Sequence, residues 1–387
     1  MNDMADVWAD LVGQQRAIEI LRRAVAGGRH VNSHAWLFVG PPGSGRSNAA
    51  RAFAAALQCS QGGCGDCNDC RTSLSGAHPD VTLLRTEKIA IGVAEIRDLV
   101  SRANSSPMRG RYQIIVVEDA DRVTERGADA LLKSLEEPAE KTIWLLCAPS
   151  PDDVIVTIRS RCRELRLVTP SNELVSRLLV ERDDVAPELA EHCARAAQGH
   201  VGRARMLAKH EQARDRRARI LDYPLKLASL SDCLIAAADL VAMATAETEQ
   251  VTSELDAKEH HELQVAMGFS RPGSKPRQAQ TAMKELQEQQ KARAKRFQRD
   301  SLDRCLTEFT TLYRDVLSVQ LQTGADLVNS DRAEEIATLA ERSTSAGVVR
   351  ALDAILQARR ALEGNVAPLL AMESLMISLA SIIERNR

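Results

Sequence analysis

Residues 40–47 read Gly-Pro-Pro-Gly-Ser-Gly-Arg-Ser. A phosphate-binding loop runs glycine, four residues, then Gly-Lys-Ser/Thr: its backbone N–H groups cradle phosphate, the lysine neutralises it and the hydroxyl holds Mg²⁺. Gly40, Gly45 and Ser47 occupy the fixed positions, Gly43 adds a turn glycine, and the one departure is Arg46 in place of lysine. The apolar run Ala35-Trp36-Leu37-Phe38-Val39 before the loop reads as a buried strand, and the alanine-rich stretch Arg46 to Leu57 after it reads as a helix. An anion sits well at such a helix N-terminus. Arginine is planar, longer and suited to bidentate pairing, whereas the lysine of this loop is a compact point charge. Three readings stay open from the loop alone: productive hydrolysis, nucleotide binding without hydrolysis, and a Gly-Pro turn that takes no ligand.

Downstream, strand and helix signals alternate. Strands are expected at Val81 to Leu84, Gln113 to Val117, Thr142 to Cys147 and Glu164 to Val168, with helices across Val93 to Ala103 and Thr124 to Glu136. That alternation predicts a parallel α/β sheet. Ile114-Ile115-Val116-Val117 runs straight into Glu118-Asp119-Ala120-Asp121, so carboxylates reach the carboxyl edge of the sheet, where such sheets bind ligands. A working site there needs Asp to hold Mg²⁺ and then Glu to position the attacking water. Here the order is Glu118 then Asp119, which shortens the second side chain by about 1.5 Å. A base must lie within hydrogen-bond reach of its water, so the inversion argues against catalysis. The competing reading is a solvated acidic strand end.

Four of the nine cysteines cluster as Cys59, Cys64, Cys67 and Cys70. Thiolates two residues apart can bend around one tetrahedral ion, and Gly62, Gly63 and Gly65 supply tight turns, so the spacing predicts Zn²⁺ held by four sulfurs. An iron–sulfur cluster competes, but its run continues with x3-Cys-Pro, absent here. Plain exposed thiols are the third reading. Four sulfurs leave no open position, so the expected role is structural.

Lys+Arg 51 against Asp+Glu 53 gives a net charge of −2, so no global basic field advertises nucleic acid. The start, Met1-Asn2-Asp3-Met4-Ala5-Asp6, is acidic, and no run of eighteen apolar residues occurs, which together predict a cytoplasmic protein without a membrane span. Unclustered cysteines fit the same reducing compartment.

After Pro170 helical spacing dominates. Asn172 to Arg182, Pro187 to Gln198 and Gly202 to Lys209 predict a three-helix lid over residues 170–212. From about Ala213 the chain reads as helical, with amphipathic stretches at Leu302 to Gln322, Ala333 to Arg342 and Val348 to Leu362. Residues 254–299 stand apart as a charged insertion with His260-His261 and the turn Arg271-Pro272-Gly273-Ser274-Lys275-Pro276. Lys284 to Arg299 holds six Lys/Arg against two Asp/Glu, which reads either as a solvated helix or loop or as a contact for phosphate or an acidic partner. The histidine pair has no carboxylate or cysteine at ligand spacing and is read as incidental.

Asp10-Leu11-Val12-Gly13-Gln14, Ser33-His34-Ala35, the loop at 40–47, the four cysteines, Ala77-His78-Pro79-Asp80, Leu131-Leu132-Lys133-Ser134-Leu135-Glu136-Glu137-Pro138 and Ser160-Arg161-Cys162 together resemble bacterial clamp-loader subunits of the AAA+ family. The likeness covers roughly residues 8–210. Within that family the chain looks most like the delta prime subunits of DNA polymerase III rather than the ATP-hydrolysing gamma/tau subunits. The gamma/tau strand end carries a threonine pair that senses the γ-phosphate, where this chain has Ala148 and Pro149. The family's lid arginine follows Gly-Ser-Leu, where this chain has Gly202 after Gly199-His200-Val201, with Arg203 one position out of register.

The resemblance implies an α/β AAA+ module with a five-stranded parallel P-loop sheet over residues 1–169, the lid, and an all-α collar over residues 213–387. It implies a degenerate nucleotide site at Gly40, Gly43, Gly45, Arg46, Ser47, Glu118 and Asp119, where ATP or ADP would lodge without being hydrolysed. It also implies that Arg161 acts in trans as an arginine finger on a neighbouring subunit's ATP. The partners implied are gamma/tau and delta-like subunits in a pentameric ring, with the sliding clamp and primer-template DNA reached through the complex. Two other readings are an active gamma/tau-like ATPase in which Arg46 replaces lysine, and a DNA-binding scaffold, which neutral charge and scarce aromatics disfavour.

Overall fold

The computed structural model describes residues 6–27, 33–86, 90–266, 277–364 and 366–382. The chain divides into two compact units, Met1–Lys209 and His210–Arg387.

In the first unit the apolar runs form a five-stranded parallel sheet of order β2-β3-β4-β1-β5, with β1 Ala35–Val39, β2 Val81–Leu84, β3 Gln113–Val117, β4 Thr142–Ala148 and β5 Arg163–Arg166. Strands covered on both faces read as continuous hydrophobic runs, and β1, β3 and β4 are buried at every position. Alternate residues feed two cores. Trp36, Phe38, Ile114, Val116 and Leu145 share a core with Phe53 on one face, while Leu37, Val39, Ile115, Val117, Trp144 and Leu146 pack on the other.

Helix α1 Gln15–Val25 precedes the first strand, helices α2 Arg46–Gln58, α3 Asn68–Ser75, α4 Val93–Ala103, α5 Glu125–Glu136 and the short α6 Val156–Arg159 connect the strands, and α7 Asn172–Asp183, α8 Pro187–Ala197 and α9 Val201–Lys209 follow. Small side chains let α2 lie close to the sheet: Ala49, Ala50, Ala52, Ala54, Ala55 and Ala56 are all buried around Phe53. Thr124 caps α5 by accepting the Gly127 N–H at 3.2 Å. Strand β1 lies between β4 and β5, so the loop that leaves its carboxyl end opens one strand in from the edge of the sheet.

Several boundaries shift by a residue or more from those read in the sequence, and the carboxyl ends of two strands bear on the site. The last strand ends at Arg166 instead of Val168. Leu167 N–H still donates to the Val39 carbonyl at 2.8 Å, but the Val168 N–H is taken by the Gln14 side-chain oxygen at 3.1 Å. The fourth strand runs one residue further, to Ala148, pairing with Val39. Helices α1 and α3 were not anticipated.

The described elements of the second unit are helical: α10 Glu211–Leu225, α11 Leu230–Ala266, α12 Arg277–Gln320, α13 Ala333–Glu341, α14 Ser345–Glu363 and α15 Pro368–Ala380. Its core gathers Leu240, Leu302, Phe309, Tyr313, Ile355, Met372 and Leu375. A buried polar network ties α10 to α12, in which Arg217 Nε donates to Glu308 at 3.1 Å and reaches Asn329 through Nη2. Residues 254–266 and 277–299 continue α11 and α12 beyond this core, while the turn Arg271 to Pro276 lies outside the described residues, as do Met1 to Ala5. Arg293 is buried between these helices, where Nη1 donates to Glu259 at 2.9 Å and Nη2 meets Asp256. One of the cations counted above as a possible external contact is thereby neutralised internally. His260 and His261 lie on α11 outside any metal-competent cluster of the described residues. No helix among the described residues is long and apolar enough to cross a membrane.

Candidate functional site

The loop at 40–47 joins β1 to α2 at the carboxyl edge of the sheet. Gly43 and Gly45 have φ of +86° and +88°, a region that favours glycine. Gly43 is in direct contact with the lid, since a Cβ built there would stand 2.5 Å from His200 Cγ. Burial, then Arg203 and Arg46, hold the His200 imidazole below its ordinary pKa, so a neutral ring covers this shoulder of the loop. Arg46 does not project outward: its Nη1 donates back to the Gly40 carbonyl at the start of its own loop. Burial lowers its pKa, opposed by Cys147, Asp121 and Asp119. Ser47 stands half-buried in the first turn of α2.

The carboxylate order matters less than what holds the carboxylates. Glu118 turns to Arg51 of α2, whose Nε donates to Glu118 Oε1 at 3.0 Å while Nη2 meets the same oxygen, and Arg85 Nε stands 4.0 Å from the other oxygen. With its side chain 7% exposed, Glu118 is a buried carboxylate already paired, and a metal ion would have to displace a guanidinium to reach it. Asp119 faces Arg122 Nε at 4.0 Å. Asp121, Asp119 and Asp153 are carboxylates that act on Arg46, and burial followed by Asp119 raises the Asp121 pKa. At the β4 end, Ala148 is buried and Pro149 offers its carbonyl to the Gly40 N–H at 3.2 Å, so these two residues brace the loop and neither carries a hydroxyl. In the lid, Gly202 lies under the His200 ring, and Arg203 N–H donates to His200 Nδ1 at 3.2 Å.

Arg161 stands apart from this cluster, just after α6. Its Nε donates to Glu136 Oε1 at 2.7 Å and its Nη1 to the Thr157 carbonyl at 2.8 Å, with 34% of the side chain exposed. Neighbouring Arg159, Arg163 and Arg166 have other partners: Asp152, the Trp36 ring and Glu164. Cys162 is packed against the core, and burial pushes its thiol up to about 12.

The four clustered cysteines converge. Their sulfurs lie within 4.8 Å of one another, and Cys59 Sγ is 3.7 Å from both Cys64 Sγ and Cys67 Sγ. Four sulfurs at about 2.3 Å from a tetrahedral zinc stand about 3.8 Å apart, so this donor set fits. Backbone N–H groups supply the outer support, Gln61 to Cys59 and Cys70 to Cys67, each at 3.3 Å. The second of these also caps α3.

One functional-looking motif is structural. Asp80 of the segment Ala77 to Asp80 is fully buried and accepts the N–H groups of Met108 at 2.6 Å, Arg109 at 2.8 Å and Gly110. Burial pushes its pKa up, but these N–H groups and His78 win and hold it below the usual carboxylate range. A depressed folded-state pKa contributes stability above the unfolded value near 3.9, and that stability is lost as pH falls through the folded value. Asp80→Ala is therefore expected to cost about 3 kcal/mol or more at neutral pH, because it removes three hydrogen bonds to a fully buried carboxylate, with the difference from wild type shrinking in acid. Trp8, Trp36 and Trp144 all lie in the first unit, so tryptophan fluorescence during denaturation reads this directly.

Sequence reasoning found the loop, the cysteines and the strand-end acids. It missed Arg51, Arg85 and His200, of which only His200 carried a signal, in its place just ahead of the lid arginine.

Residues 13–171 match a family model described as DNA polymerase III, delta subunit, and residues 280–381 match one described as DNA polymerase III, delta subunit, C terminal. The chain is 26% identical to the DNA polymerase III subunit delta' of Bacillus subtilis, across 97% of this chain and 99% of that protein. It is 34% identical to subunit delta' of Pseudomonas aeruginosa, across 52% of this chain and 63% of that protein. It is 36% identical to subunit gamma/tau of Mycobacterium bovis, but there the match spans 42% of this chain and 29% of that protein.

Proposed function

Taking as premise that the chain is a delta prime-like relative of the bacterial clamp-loader subunits, we propose that it is a non-hydrolysing architectural member of that assembly. It sits in a pentameric ring beside gamma/tau-like and delta-like subunits and lends Arg161 to a neighbour's ATP. Through the complex it helps to place a sliding clamp on primed DNA. The helical second unit serves as the collar through which it assembles, and Zn²⁺ is the ion of the cysteine module, with a structural role.

The observation that carries the non-hydrolysing reading is the commitment of Glu118. A carboxylate that is to hold Mg²⁺ through water must be free to do so, whereas Glu118 already neutralises Arg51. Arg46 turned onto Gly40, and the neutral His200 on Gly43, support the same reading from two other directions. Any nucleotide that lodges here meets the α2 N-terminus and the loop amides without a metal-ready acid. Turnover of ATP by the isolated chain tests the proposal, and background hydrolysis is expected.

A further inference from the structure

We propose that residues 6–14 form a strap through which the cysteine module holds the lid against the phosphate loop. The inference stands on contacts within the first unit and does not rest on the clamp-loader reading.

The strap is anchored at its near end on the module. Val7 N–H donates to the Gly63 carbonyl at 3.2 Å, and Val7 and Trp8 are buried. Gly63 has φ of +113°, and a Cβ there would stand 2.7 Å from Val7 Cγ2 and 3.5 Å from Trp8 Nε1. This glycine lies in the Cys59–Cys64 turn, where Gly62 N–H donates to the Cys59 carbonyl at 3.2 Å. The seat for Val7 and Trp8 thus exists only while that turn keeps its shape.

From the seat the strap runs to the loop and the lid. Leu11 is buried with Cδ2 facing Gly45, 3.9 Å from where a Cβ would stand. Asp10 Oδ1 accepts Arg182 Nη1 of α7 at 3.0 Å and stands 3.9 Å from Arg205 Nη2 of α9. Gly13 packs against Pro170 and Leu174 at the lid's entrance. Gln14 then fixes both edges at once: its Nε2 donates to the Ser44 carbonyl at 3.2 Å and to the Val168 carbonyl at 2.7 Å.

The energetics make the far end depend on the near end. Exposed pairs such as Asp10–Arg182 are worth about 0–1 kcal/mol each, too little to order a segment that lies outside any helix or strand. Backbone ordering costs about 1–2 kcal/mol per residue, so the strap is held by burying Val7, Trp8 and Leu11. A metal bound by the four cysteines orders the turn that receives the first two of these. Local opening of the module therefore releases the strap, and with it the tie on α7 and α9.

Amide hydrogen exchange of the full chain tests this, comparing protein treated with a metal chelator with the same protein after Zn²⁺ is added back. Chelation is expected to speed exchange at least tenfold in residues 6–14 and in α7 and α9, with β3 and β4 unchanged, and Zn²⁺ is expected to restore protection. Faster exchange confined to residues 59–76, or no change at residues 6–14 in either state, would overturn the proposal. Should chelation open the whole unit, Val7→Asp decides: with metal content unchanged, it is expected to deprotect residues 6–14 and the lid. A lid that stays protected in that variant would equally refute the strap.

Discussion

Arg161→Ala is expected to slow ATP turnover at the neighbouring site by about 10³–10⁵-fold while leaving folding and assembly intact, since a trans arginine stabilises charge that develops only in the transition state. That range corresponds to about 4–7 kcal/mol of activation free energy. Within its own subunit the residue contributes little: its pair with Glu136 is half-exposed, and such pairs are worth about 0–1 kcal/mol. The same weakness lets the guanidinium leave Glu136 when phosphate is presented. The measurement is DNA- and clamp-stimulated hydrolysis by a reconstituted complex in which hydrolysis at the other ATP sites is blocked by substitution. Unchanged turnover would remove the role.

Cys67→Ser is expected to take the metal content from about one equivalent to nearly none and to destabilise the first unit by several kcal/mol. Structural zinc is worth on the order of 10 kcal/mol in isolated finger peptides. The loss is expected to be smaller here, because Cys59 caps α2, whose Ala55 and Ala56 are held independently in the sheet core. Metal analysis reads the first effect and tryptophan fluorescence during denaturation the second. Retention of the metal would contradict the ligand assignment, and iron with visible absorbance in the wild type would replace zinc by a cluster.

The sheet was legible because its central strands are buried on both faces and so appear as unbroken apolar runs, as in Ala35 to Val39 and Ile114 to Val117. The cysteine module was legible because its ligands are local in sequence. Helix α3 was hidden because Asn68–Ser75 has weak intrinsic propensity and is started by a cysteine sulfur accepting the Cys70 N–H. What spacing does not carry is long-range pairing. Glu118 meets Arg51 across 67 residues, Arg161 meets Glu136 across 25, and Gln14 meets Val168 across 154. The first bears on whether the loop can work, and each depends on the folded sheet bringing distant segments together. The sequence reading rests on the inverted Glu118-Asp119 order and the reach of the second acid; the fold adds the arginine already seated on the first.

The loop at 40–47 then differs from an ATPase loop by more than Arg46. The most direct test is ATP binding and turnover by the isolated chain, beside an Arg46→Lys variant that restores the expected lysine. Hydrolysis at background is expected from both, because the lysine leaves Glu118 on Arg51 and His200 on Gly43. Micromolar ATP affinity with measurable turnover, in the wild type or in the lysine variant, would contradict the account.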